Sequence, residues 1–208
     1  VKAREFAAQV RTNWDFRSYY ADAPTTERHR MWDRLTASTS GTMANTPFAT
    51  ITGDPRLPRI ATGTRANVPL APSSYSTFAN TVAGVDFISG GWIRVSGSLE
   101  AQYIIAEVDG PVASTLTFVN ARRAAGLQPA VNLTGDALMA ELREQRKRDF
   151  YLDNHRLGDL RRYKRFYNVD LFPKGAYPGS TTGQTYRDDV TCWPLPRAEL
   201  TGNPNAGG

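Results

Sequence analysis

The 208-residue chain has a single cysteine, Cys192, and only two histidines, His29 and His155. One cysteine excludes an intrachain disulfide and a paired-cysteine metal knuckle. Two histidines so far apart leave no clustered set of soft ligands for zinc or another transition metal. No apolar run approaches the roughly 18 residues that a membrane-spanning helix needs. Val1-Lys2-Ala3-Arg4-Glu5 opens without an apolar signal core or a lipidation cysteine. The chain has no glycine-rich phosphate loop ending in Lys-Ser/Thr, no GxGxxG and no GxSxG elbow. Asp188 and Asp189 are adjacent, so on a strand or loop they point apart and do not set an acid opposite a base. The expectation is a protein that is not an enzyme and uses no cofactor or metal.

What is present is a mixed charge and two loop-rich regions. The 25 Lys+Arg are offset by 20 Asp+Glu, leaving a net charge of +5 and 40% hydrophobic content. That content suffices for a core, and the interspersed acids make the surface a poor fit to a dedicated nucleic-acid module. The 13 prolines and 17 glycines concentrate between Gly41 and Gly97 and after Phe172, which predicts helices separated by long excursions.

Phe6, Val10 and Trp14 recur four apart, which predicts a helix over Val1 to Ser18 that starts in mid-helix and implies an upstream part of the chain. Asp22-Ala23-Pro24 reads as a turn, and Thr25 or Thr26 as the cap of a short helix carrying Met31, Trp32 and Leu35. Thr36 to Ser89 reads as irregular loop with a few short strands, and "WIRVSG" after it as a strand. "SGSLEAQYIIAEVDG" reads as a helix capped by Ser98, with Glu100 in its positive first turn, ended by Gly110-Pro111. A second helix over Ser114 to Ala125 places Leu116, Val119 and Asn120 on one side, with Gly126 in the left-handed terminating position. After Thr134 or Asp136 as cap, Leu138, Met139 and Leu142 begin the longest helical signal. Phe150, Leu157, Leu160, Tyr163 and Tyr167 continue its apolar side, with a break near Asn154-His155 and Gly158.

That last signal carries a basic run, Arg146-Lys147-Arg148, followed by Arg161-Arg162 and Lys164-Arg165. Phosphate contact is one reading. Glu144 precedes Arg148 by four and Asp159 precedes Arg162 by three, while Asp149 and Asp153 lie among the bases, so local carboxylates neutralise much of the field. The expectation is no nucleic-acid partner. Tyr19, Tyr20 and Trp92 fall in turn-rich text, where aromatics either stack on a ligand or pin a loop.

The order of segments adds more than any one of them. "DPRLPR" (Asp54 to Arg59), "WIRVSGSLEAQYIIAE" (Trp92 to Glu107), "FVNARRAAGL" (Phe118 to Leu127), "LREQRKRDFYLDNHRLGDLRRY" (Leu142 to Tyr163) and "CWPLPRAELTGNPN" (Cys192 to Asn205) occur in that order. Together they resemble the C-terminal half of SusD/RagB-type outer-membrane lipoproteins. Asp153-Asn154 stands where that family usually has Glu-Gly, and Trp-Pro-Leu-Pro replaces its Pro-Ile-Pro. The resemblance implies a mostly α-helical fold of tetratricopeptide-like helix pairs with long irregular loops and a few short strands. Residues 1–208 would form the C-terminal portion of one such domain. It implies attachment to the bacterial outer membrane, on the cell-surface side, through an N-terminal lipid anchor outside this chain. It also implies delivery of captured oligosaccharide or peptide to a SusC-like TonB-dependent transporter. Tyr19, Tyr20 and Trp92 are the candidate ligand contacts. Arg148, Asp149, His155, Arg156, Asp159 and Arg161 are expected to fasten helices and loops through partly buried polar contacts. The alternative function is a helical-repeat scaffold that binds protein without a nutrient ligand.

Overall fold

In the computed structural model, described at residues 2–20, 48, 51–57, 59–62, 65–69, 79–82, 85–88, 91–151, 153–176 and 183–186, the backbone alone is defined at 20, 59–62, 65–69, 79–82, 85–88 and 91–93. The protein is mostly helical. It divides into two compact units, Val1–Arg156 and Leu157–Gly208.

The chain opens with α1 (Lys2–Ala7) and then β1 (Asp15–Tyr20), so the single helix expected over Val1 to Ser18 does not form. Asn13 turns the chain with φ 61°, a left-handed conformation that asparagine tolerates better than most residues. Beyond it the backbone finds partners in a ladder: β1 pairs antiparallel with β6 (Gly91–Gly97), and the Trp14 carbonyl accepts from the Ser98 N–H at 2.7 Å. The spacing of Phe6, Val10 and Trp14 is therefore not a buried stripe. Phe6 is 67% exposed, and Ala7 is the residue that packs inward. Between these strands, β2 (Arg59–Thr62) with β3 (Arg65–Pro69) and β4 (Ala79–Val82) with β5 (Val85–Ile88) form two antiparallel hairpins. These are the short strands expected between Thr36 and Ser89. The expected helix at Met31, Trp32 and Leu35 lies outside the described residues, as does the Cys192 to Asn205 segment.

β6 runs directly into α2 (Ser98–Asp109), followed by α3 (Ala113–Ala125) and α4 (Gly135–Asp149). Gly97, not Ser98, occupies the capping position of α2, and no side chain caps it; the Ser98 N–H is satisfied by the Trp14 carbonyl instead. Thr134 does hold the cap position of α4, again without a side-chain hydrogen bond. Gly110 breaks α2 with φ 77°, a region open to glycine at little steric penalty. Only Gly110, Pro111 and Val112 join α2 to α3, and the Thr115 hydroxyl donates back to the Gly110 carbonyl at 2.6 Å, closing the helical hairpin.

Apolar residues at helical spacing meet in one core: Tyr103 and Ala106 of α2, Val119 of α3, Leu138, Met139 and Leu142 of α4, and Phe150 just beyond. Tyr103 packs edge-on against Phe118 at 4.9 Å and Phe150 at 5.6 Å between ring centroids, the offset geometry that aromatic quadrupoles favour. Asn120 exchanges two hydrogen bonds of 2.9 Å with the Val131 backbone and so pins the α3–α4 connection. The second unit contains α5 (Arg156–Tyr167) after its first residue, with Asp159, Leu160 and Tyr163 on its buried side. The expected break between the last two helices is present, with Asn154 at φ 62°.

Candidate functional site

Asp149 ends α4 with its carboxylate only 1% exposed, at the centre of a set of charged groups. It accepts from Arg56 Nη1 at 3.0 Å, from Arg122 Nε and Nη2 at 2.8 Å each, and from the Tyr103 hydroxyl. Arg56 is held on its other side by Asp54, at 2.9 Å from Nε and 2.7 Å from Nη2. Arg148 reaches both Glu144, one turn back, and Asp54. The Asp54–Arg56 turn, α2, α3 and the end of α4 are thus joined through one pair of buried carboxylates. Burial works to raise the Asp54 pKa, and the hydrogen bonds from Arg56 outweigh it, leaving Asp54 below its ordinary value. Burial and the adjacent Asp149 charge together push the Tyr103 phenol well up, so it stays protonated as a donor.

A neighbouring set surrounds Phe150. Arg94 of β6 donates to Asp153 at 2.7 Å and to the Asp149 carbonyl at 2.8 Å, with its guanidinium 5.0 Å from the Phe150 ring centroid. Arg146 lies 4.7 Å from the same centroid and reaches Glu100 at 3.3 Å. His155 stacks on Phe150 and faces an acceptor at each ring nitrogen: the Asp153 carbonyl 2.8 Å from Nδ1 and the Glu100 carboxylate 3.4 Å from Nε2. Only the imidazolium donates from both nitrogens. The hydrogen bond to Glu100 raises the His155 pKa against the effect of burial and of Arg146. The same bond holds Glu100 down to about 2, again against burial.

The pH dependence follows from these two directions. Glu100 stabilises the fold above its ordinary value of 4.5, and this is lost as pH falls toward 2. His155 stabilises it below its ordinary value of 6.5, and this is lost as pH rises through its raised value. The contribution of the pair is therefore greatest between about pH 4.5 and 6.5. Urea midpoints across pH are expected to decline on both sides of that window. His155→Gln is expected to remove the decline on the alkaline side; an unchanged profile would show that the pair contributes nothing.

The structure brings Arg148, Asp149 and His155 into these contacts. Arg156 is half-buried at the first position of α5. Asp159 is buried in the second unit and pairs with Arg162 at 3.2 Å. Arg161, expected to fasten, is instead exposed: Leu160 and Tyr163 take the inward positions, and one residue further along turns a side chain about 100° around the helix. Tyr19, Tyr20 and Trp92 lie in strands rather than turns. Tyr19 of β1 is the register partner of Trp92 of β6, Tyr20 pairs with Gly91, and the Tyr19 side chain is 72% exposed.

Sequence reasoning missed Arg56, Arg94, Tyr103 and Arg122 as members of the set. Their signal was present, since each belongs to one of the ordered segments, but partners so distant in sequence leave no local spacing to read. Among the described residues no group of His, Cys, Asp and Glu is placed to hold a metal ion, and no helix is long and apolar enough to cross a membrane. Comparison with family profiles, characterised proteins and solved structures gave no match.

Proposed function

We propose that this chain is the C-terminal portion of a SusD/RagB-like surface lipoprotein that captures oligosaccharide or peptide nutrients and passes them to a SusC-like TonB-dependent transporter. The observation that supports the reading is the convergence of four of its five ordered segments, the fifth lying outside the described residues. Asp54 and Arg56 of "DPRLPR", Arg94 of "WIRVSG", Arg122 and Gly126 of "NARRAAG" and Asp149 of "RKRDF" meet in the polar set around α4. Capture of this kind is binding without bond-making: aromatic and apolar surface covers the ligand while a few polar groups orient it. Tyr19, Tyr20 and Trp92 are the aromatic positions proposed for ligand contact; of these, Tyr19 and Trp92 are register partners on the β1–β6 ribbon.

The test is calorimetric titration of the full-length gene product with a panel of oligosaccharides and peptides, paired with fractionation of the native cells. Saturable binding, outer-membrane location and co-purification of a TonB-dependent transporter are expected. A cytoplasmic protein that binds none of the panel would overturn the reading in favour of a protein-binding scaffold.

A further inference from the structure

Within the second unit, α5 presents a basic face of which the local ion pairs use only a part. Gly158, Arg161, Arg162, Lys164, Arg165 and Phe166 line an open groove of about 570 Å³. Positions 158, 161, 162 and 165 recur at the spacing that stacks side chains on one side of a helix, and Phe166 borders them. Asp159, Leu160 and Tyr163 occupy the buried side, so the stripe points away from the packing face. Arg162 is paired with Asp159, and Lys164 with Asp170, at 3.2 Å each. Arg161 and Arg165 are exposed and form no ion pair with a described residue. Guanidinium groups offer planar forks of donors that match a carboxylate. Arg165 lies 5.2 Å from the centroid of the Phe166 ring, which is itself 68% exposed.

We infer that this stripe is a subsite for an acidic oligosaccharide, with Arg161 and Arg165 engaging uronate carboxylates and the Phe166 ring stacking on a sugar face. The inference rests on the nutrient-capture reading and narrows its ligand to a negatively charged glycan. Charge complementarity selects the sign. The exposed ring beside the forks favours a sugar, whose C–H face stacks on an aromatic, over a purely electrostatic partner. Adjacent arginines one helical turn apart suit anionic groups repeated along a chain. The groove's volume falls in the range of small-ligand sites.

The experiment titrates the 208-residue chain with a short oligogalacturonate, its methyl ester, an oligoglutamate and a single-stranded oligonucleotide, at low and at about physiological ionic strength. The oligogalacturonate is expected to bind at least about tenfold more tightly than the neutral ester, as the loss of a charge-assisted hydrogen bond implies. The double variant Arg161→Ala/Arg165→Ala is expected to lose that preference, and Phe166→Ala to weaken the acid and the ester alike, with thermal midpoints unchanged because all these side chains are exposed. Equal binding of acid and ester overturns the inference while leaving nutrient capture standing. Equal binding of oligoglutamate or the oligonucleotide reduces the stripe to a charge patch and also overturns it. Failure of every saccharide, in the full-length protein as well, removes both readings.

Discussion

Asp149→Ala is expected to lower the free energy of unfolding by about 3–5 kcal/mol, the range for removing one partner of a buried charge set. The reason is what the alanine leaves behind. Arg56 and Arg122 each lose an acceptor inside the protein, and the Tyr103 hydroxyl loses its own. The remaining guanidiniums cannot neutralise, so each must draw in water or move. Asp149→Asn, which keeps the shape, is expected to lose nearly as much, because its amide turns a donor toward a donor. Arg4→Ala serves as the contrast: it breaks an ion pair with Asp109 in which Arg4 is about half exposed, where solvent screens the interaction. Its denaturation midpoint is expected to stay close to that of the unaltered protein. Chemical denaturation monitored by tryptophan fluorescence reads all of these. An Asp149→Ala midpoint no lower than that of Arg4→Ala would show that the buried set is not what holds the helices together.

Gly126→Ala is the second large effect, expected at about 1–3 kcal/mol of destabilisation, the range for overfilling a packed site. Backbone conformation gives no reason for it, since Gly126 has φ −94° and ψ 14°, which alanine adopts freely. The reason is proximity: a Cβ there would stand 2.2 Å from Arg56 Nη2 and 2.8 Å from Asp54 Oδ2. A free arginine tip would swing aside. This one is held between Asp54 and Asp149 and is only 10% exposed, so it can move only by giving up those bonds. A double-mutant cycle separates the two explanations. In an Arg56→Ala background the further change Gly126→Ala is expected to destabilise less, because the contacts with Arg56 are gone and Asp54, released from Arg56, is the one close neighbour left to shift. If it destabilises equally in both backgrounds, the close approach is not the cause.

Gly126 also illustrates where reading the sequence falls short. Glycine at a helix end predicts the left-handed conformation, but here Leu127 adopts it, with φ 54°, and the Gln128 N–H reaches back to the Arg123 carbonyl at 2.9 Å. The helix stops where the sequence says, with the turn displaced by one residue, because Gly126 serves packing instead. The N-terminal segment misled for a related reason. Its four-residue spacing is genuine, yet pairing with a strand more than seventy residues away outweighs local helical preference, as tertiary context often does. By contrast α2 and α3 were legible almost to the residue, each carrying its apolar positions at helical spacing and ending at a strong local signal, Gly110-Pro111 and Gly126. The start of α4 was legible too, but it ends at Asp149, before the break that Asn154 marks in the sequence.

The sequence by itself determined the helical class, the order of α2, α3 and α4, the side of each that faces the core and the pairing of Arg148 with Glu144, all consequences of spacing within a few residues. Which distant charges would share a carboxylate was decided only by the tertiary structure. Arg56 and Arg122 meet at Asp149, Arg94 meets Asp153, and His155 meets Glu100 because the Asp54–Arg56 turn, β6, α2 and α3 are packed around the end of α4. A charge pattern along the chain records how many partners are available. It does not record which become buried, and burial makes an ion pair a fastener rather than a solvated surface contact.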